Sequence, residues 1–225
     1  MGSGDDNRRV SIVSPWGFDA RAVRGQTYAE LVSVLRHLQD LIACGDPTPA
    51  RARHAQDHLR KAAALLVEFE QEPGGLNVRG DISGRDDPLI IPVGMLRWDA
   101  DSAEGTVRFS PFHHGGGGGV HGGAIALLFD DFIGRLANFG QVTRTAYLHV
   151  NYRTVCPIGE ELVIRGRVAR REGRKMFLTG ALACGDTLIA DCEGLWVVLR
   201  SSPADAVATA HADHFPARHG KGAIR

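Results

Sequence analysis

Cysteine is scarce in this chain: four in 225 residues, at Cys44, Cys156, Cys184 and Cys192. No two form a C-x-x-C pair or a zinc-ribbon spacing, which speaks against a disulfide framework or a thiolate metal site. They read as small core residues or surface thiols in a reducing compartment. An excess of either charge is also missing, since Lys plus Arg and Asp plus Glu both number 26. That removes the electrostatic basis for nucleic acid or an anionic membrane as the main partner. No apolar run approaches the roughly 20 residues of a membrane-spanning helix, and "LIIPVGML" (89–96) is only strand-sized. The opening "MGSGDDNRRVSIV" has no signal-peptide apolar region, and Asp6 spoils a myristoylation match. The expectation is a soluble cytoplasmic protein with no membrane span and no cofactor.

The hydrophobic fraction of 44% is enough for a real core. Composition divides the chain into a helical extension over 1–75, a main domain over 76–200 and a disordered tail over 201–225. In "TYAELVSVLRHLQDLIA" (27–43), Leu31, Val34, Leu35, Leu38, Leu41 and Ile42 recur with the period of an amphipathic helix. Thr27 and Glu30 stand at capping-box spacing. After "CGDPTPA" (44–50), a second helix is expected at about 50–70, with Leu59, Ala62, Ala63, Leu66 and Phe69 on one face. Together the two read as a helical hairpin appended to the main domain. "EPGGLNVRGDISGRDDP" (72–88) is a long loop or linker.

Beyond it the period changes to that of strands, expected at 91–98, 105–112, 143–152, 160–171, 174–184 and 187–199. Turn signals separate them at 99–105, 156–161, 171–174 and 184–186. A single helix from Gly122 to Asn138 interrupts the series. It is apolar nearly all round, so it is buried on several sides. Strands joined by short turns are antiparallel, and an antiparallel sheet curled around one buried helix is the outline of a hotdog fold, class α+β.

The stretch "HHGGGGGVHGGAIALLFDDFIG" (113–134) concentrates two costs. Glycine runs are entropically costly to order, and carboxylates in apolar surroundings are costly to charge. Gly117, Gly119 and Gly122 formally match a dinucleotide fingerprint, but the βαβ crossover and the later acidic residue that fingerprint needs are absent. A flexible loop is the plain alternative. The functional one is a bare backbone that lets a ligand approach a helix start, where the N–H groups of Gly122 and Gly123 could stabilise an oxyanion. Asp131 has Arg135 at i+4 as an ion-pair partner. Asp130 has none on its helix, which makes it the functional candidate, with a raised pKa expected from an apolar setting. Gly122 and Asp130 lie about 12 Å apart along a helix, too far to serve one carbonyl. Two copies lying antiparallel could, so the spacing predicts a two-fold dimer with two composite sites.

"VHGGAIALLFDD" resembles the helix motif of PaaI-type hotdog acyl-CoA thioesterases of the thioesterase superfamily, in which an acidic residue follows the His of His-Gly-Gly by nine positions. Here those are His121 and Asp130. The likeness continues through "TAYLHVNYRTVCPIGEEL" (145–162) and "EGRKMF" (172–177), and covers about 90–200. It implies hydrolysis of acyl-CoA by a homodimer, with pairing of dimers into tetramers a common outcome. Asp130 would act as base or nucleophile, and Thr145, seven residues before Tyr152, would stand beside the attacking water. Some members carry an Asn six residues before that His, where this chain has Gly115. Its task would pass to loop backbone, to His113 or His114, or be left undone. Arg170, Arg171, Arg174 and Lys175 could hold the phosphates of coenzyme A or be a solvated basic turn. His113, His114 and His121 lack the spacing of a metal site, and no G-x-S-x-G occurs. His211, His214 and His219 read as tail residues. A hotdog domain that binds acyl-CoA without cleaving it, as sensor or scaffold, is the alternative.

Overall fold

The computed structural model describes residues 25–67 and 87–200, so Phe69, the 72–86 stretch and His211, His214 and His219 lie outside the described residues. Six strands follow one another as β1 (Val93–Trp98), β2 (Ser102–Val107), β3 (Thr143–Tyr152), β4 (Leu162–Glu172), β5 (Lys175–Cys184) and β6 (Thr187–Val198). They form one sheet in the order β1-β2-β4-β5-β6-β3, every pair antiparallel. The expected turns "REGR" and "CGD" close the β4–β5 and β5–β6 hairpins, with Gly173 at φ 57° and Gly185 at φ 54°. Only glycine takes that backbone conformation readily.

Between β2 and β3 runs the central helix, α3 (Gly122–Ala137), which lies on one face of the sheet and touches five of its strands. It buries Ile125, Leu128, Phe129, Phe132, Ile133, Leu136 and Ala137 against inward residues such as Leu162, Ile164, Leu178 and Trp196. Two glycines make that approach possible. A methyl group at Gly180 would stand 2.5 Å from Ile133 Cδ1 and 2.9 Å from Cys192 Sγ, and one at Gly166 would touch Phe132. The sheet therefore curves around one helix, the hotdog fold expected of an α+β chain.

The second strand begins earlier than its residue preferences suggest, at Ser102 instead of 105. Asp99 caps the preceding turn: its carboxylate accepts the N–H groups of Asp101 and Ser102 and the Ser102 hydroxyl. Ladders to β1 and β4 then hold Ser102–Val107 extended despite its weak strand formers. The strand also ends earlier, and Pro111 opens a 3-10 turn, Pro111–His113.

Two N-terminal helices form where the periodicity places them, α1 (Gly25–Cys44) and α2 (Pro49–Ala64), but α2 stops at Ala64, short of the expected 70, so Leu66 lies past its end. Thr27 lies inside α1, two residues past its start, so it is not the cap. The helix meets the domain through a polar flank. Arg36 donates to the carbonyls of Asp87 and Ile90, and Asp40 accepts the N–H of Phe112 at 3.0 Å. Val32 is buried, whereas Leu31, Val34, Leu35, Leu41 and Ile42 stay 40–66% exposed. α2 buries no residue.

Candidate active site

The glycine run is an ordered clasp. Gly115 N–H donates to Gly119 O at 2.8 Å, and His121 N–H donates to His113 O at 2.8 Å. His114 and Val120 form an isolated bridge, and Val120 N–H donates to Cys156 O. The tip, Gly116–Gly118, is a 3-10 turn with Gly117 at φ 78° and Gly118 at φ 84°. At the base, a methyl group on Gly115 would lie 2.7 Å from His121 Cα, and one on Gly119 would lie 2.4 Å from Val155 Cγ1. The site thus has no room for the Asn that some thioesterases carry at Gly115, unless the loop moves. His114 is exposed beside it.

At the start of α3, His121 is the N-cap, and its Nδ1 accepts the Gly123 N–H at 2.9 Å. That occupies one of the two backbone donors read from the sequence and leaves Gly122 as the helix-start donor of the pair. Because Nδ1 accepts, the neutral ring carries its proton on Nε2. Tyr152 supports the same turn from β3. Its hydroxyl donates to Gly122 O at 2.9 Å, and its ring is close enough that a methyl on Gly122 would stand 3.3 Å from Cζ. In the sequence the only sign of this role is the place of Tyr152 at the end of a strand.

Eight residues on, Asp130 and Asp131 part as the helix geometry demands. Asp131 is half-buried and pairs with Arg135 at 2.8 Å. Burial raises its pKa, and the Arg135 charge and hydrogen bond oppose the rise. Asp130 is exposed, so the apolar enclosure expected around it is absent within one copy. Its Oδ1 accepts the Thr145 hydroxyl at 3.0 Å, from β3 fifteen residues away. A bulge in β3, between Thr145 and Tyr147, makes this possible. Before the bulge Thr143 and Thr145 face α3; after it Leu148 and Val150 pack on the core instead. Bulges re-aim side chains in this way, and nothing in the local composition announced it.

The basic hairpin stands elsewhere. Arg170 pairs with Glu172 at 3.0 Å and lies 3.8 Å over the Phe177 ring. Arg171 donates to Asp101 and to Ala100 O, and Arg174 donates to Val198 O. Lys175 is exposed. Lys175 pairs with Val197 and Val198 with Thr143, so the hairpin lies at the sheet end where β3 starts. Tyr152 and Gly122 lie at the end where β3 finishes. No group of three His, Cys, Asp or Glu side chains able to hold a metal occurs among the described residues.

β3 is the last strand of the sheet, and Arg144 to Tyr147, His149, Asn151 and Tyr152 are exposed. The site therefore borders a sheet edge that no other described strand pairs. A carboxylate with a hydroxyl bonded to it can hold and deprotonate water, and a helix start with a bare N–H can receive a carbonyl oxygen.

Residues 117–190 match the model of the thioesterase superfamily, a span that includes His121, Gly122, Asp130 and Thr145. The chain is 33% identical to the acyl-coenzyme A thioesterase THEM4 of Bos taurus over 91 residues, 40% of this chain and 38% of that protein. It is 33% identical to THEM4 of Mus musculus over 84 residues, 36% of each chain. It thus spans under two fifths of the length of these relatives. A solved crystal structure of a thioesterase superfamily protein superposes with a TM-score of 0.67 at 26% identity, covering 77% of this chain and 96% of that one.

Proposed function

We propose that this hotdog chain, with its thioesterase-superfamily segment, hydrolyses acyl-CoA thioesters to free acid and coenzyme A. The observation that carries this reading is the Thr145–Asp130 hydrogen bond at 3.0 Å, on an exposed carboxylate at that sheet edge. The acyl carbonyl would lie at the α3 start of one subunit, against the Gly122 N–H and the Nε2–H of His121. Asp130 of a second subunit would take a proton from water, or attack directly, with Thr145 orienting the attacking group. Addition at the carbonyl carbon makes the oxyanion; its collapse breaks the C–S bond, and the sulfur leaves as thiolate and takes up a proton. Where Asp130 itself attacks, the resulting mixed anhydride is then hydrolysed by water to the free acid and the carboxylate. The composite arrangement rests on the roughly 12 Å between Gly122 and Asp130 and on the side of β3 that no described strand pairs. It also sets the basic hairpin of one copy toward the α3 start of the other, where coenzyme A phosphates would fall. The work is assigned to the hotdog domain, 76–200, with 1–75 as its extension.

Thiol release from a panel of acyl-CoAs tests the reading directly. Asp130→Asn should abolish turnover, by at least about 100-fold for a lost general base, while the dimer persists. Release at the wild-type rate would refute the assignment. A specific observation favours the second reading, acyl-CoA binding without hydrolysis: Gly123 N–H is already taken by His121, and Gly115 offers no side chain to the carbonyl. Tight acyl-CoA binding by calorimetry with no thiol released by the wild type would establish it.

A further inference from the structure

Two histidines on α2 converge on one point. His54 and His58 stand four residues apart, about one helical turn, so their side chains lie on the same face. Their Nε2 atoms are 3.2 Å apart, with ring centroids 4.7 Å apart and planes inclined by 77°. Both rings are exposed, and the next positions along that stripe are Ala50 and Ala62, too small to block an approach. A hydrogen bond between the rings is one use of the contact, but a weak one. Its length is at the long end of the ordinary range, and water would serve two exposed rings as well. A metal ion fits the same geometry. Transition-metal ions bind imidazole nitrogen at about 2.0–2.1 Å, so nitrogens 3.2 Å apart enclose an angle of about 103° at the metal. That lies between the angles of square-planar and tetrahedral coordination. We propose that His54 and His58 are a chelating pair for a divalent transition-metal ion of the Cu²⁺, Ni²⁺ and Zn²⁺ class, which clips one turn of α2.

Each neutral ring binds through the Nε2 lone pair and keeps its proton on Nδ1; a protonated ring first releases one proton. Water fills the remaining positions. Imidazole selects these ions over Mg²⁺ and Ca²⁺, which take oxygen ligands. Asp57, next to His58, is held by Arg60 at 3.2 Å and is not counted as a ligand. Arg51 and Lys61 stand three residues outside the pair at either end, so their charges oppose a cation and the coordinate bonds must outweigh them. The consequence falls on α2 itself. A 16-residue helix that buries none of its residues is marginal in water on propensity alone. An ion that binds the helical spacing of the two rings, and not the unfolded segment, adds its binding free energy to the helix. The order of α2 thereby depends on metal.

The chelate does not depend on thioester hydrolysis, and its test does not use activity. Calorimetric titration of the full, chelator-stripped chain with Ni²⁺ should find one ion per chain more in the wild type than in His54→Ala or His58→Ala. At ten times its Kd, Ni²⁺ should slow hydrogen exchange over 49–64 about tenfold in the wild type and leave both variants unchanged. Adding Leu59→His to the His58→Ala chain sets the second imidazole about 140° round the helix from His54, and it should not restore binding. Equal binding by the wild type and both variants would place the ion on other side chains. A difference of one ion per two chains would mean a bridge between copies. Either result, restored binding through position 59, or exchange over 49–64 that ignores Ni²⁺ overturns the proposal.

Discussion

Thr145 and Asp130 are joined by one hydrogen bond, and each has a separable consequence. A hydrogen bond to a charged group is worth about 1.5–3 kcal/mol, so Thr145→Ala should lower kcat roughly 10- to 100-fold. Thermal melts should show the variant folded, and a smaller loss than in Asp130→Asn is expected. His121 joins a cap and a donor in one ring. Asn at this position keeps an oxygen for the Gly123 N–H, while Ala does not. His121→Ala should therefore lose about 1 kcal/mol of stability, and His121→Asn little, with activity reduced in both; denaturant titrations beside thiol-release assays separate the two effects. His113 adds a pH dependence. Burial among Phe109, Phe112 and Ser110 lowers its pKa below the ordinary histidine value; the Ser110 hydrogen bond and Asp40 oppose the shift, and Arg36 adds to it. Between that lowered value and about 6.5 the unfolded chain holds more protons than the native one. Stability should therefore rise with pH across that window. A denaturant midpoint that does not move there would contradict it.

Glycines decide two elements by different means. At Gly180 the neighbour is the core of α3, so Gly180→Ala should cost about 1–3 kcal/mol by overpacking, read as a lower melting temperature. In the clasp, Gly115→Ala meets the backbone of His121, whereas Gly116 has nothing within 4 Å and ordinary backbone angles. Gly115→Ala should thus impair folding or activity and Gly116→Ala should do neither. The composition "GGGGG" makes these positions alike in the sequence; only the return of the chain at His121 and Val155 distinguishes them. The same holds for α1. Its aliphatic period correctly announces a helix, but which flank meets the domain is set by Arg36 and Asp40 finding backbone partners at Ile90 and Phe112. Periodicity reports that a face wants cover, not where the cover is.

At the scale of the whole molecule, composite sites make a prediction no single chain could fulfil. If the α3 start of one subunit serves Asp130 of the other, mixing inactive Asp130→Asn with weakly active His121→Ala chains should restore about a quarter of the wild-type rate. Random reassortment makes half the dimers mixed, and each has one intact site. No gain on mixing, with subunit exchange verified by mass, would place both groups in one chain. The sequence by itself determined the hotdog outline, the central helix and the pairing of Asp131 with Arg135, because alternation, helical period and i+4 spacing are local and short-ranged. It also singled out Asp130 by elimination. Tertiary structure alone decided that Asp130 meets Thr145, through a bulge at residue 146. It likewise decided that His121 occupies Gly123 and that Tyr152 pins Gly122. Those contacts depend on how β3 crosses α3 at the sheet edge, a relation between segments that are distant in the chain and that no local pattern encodes.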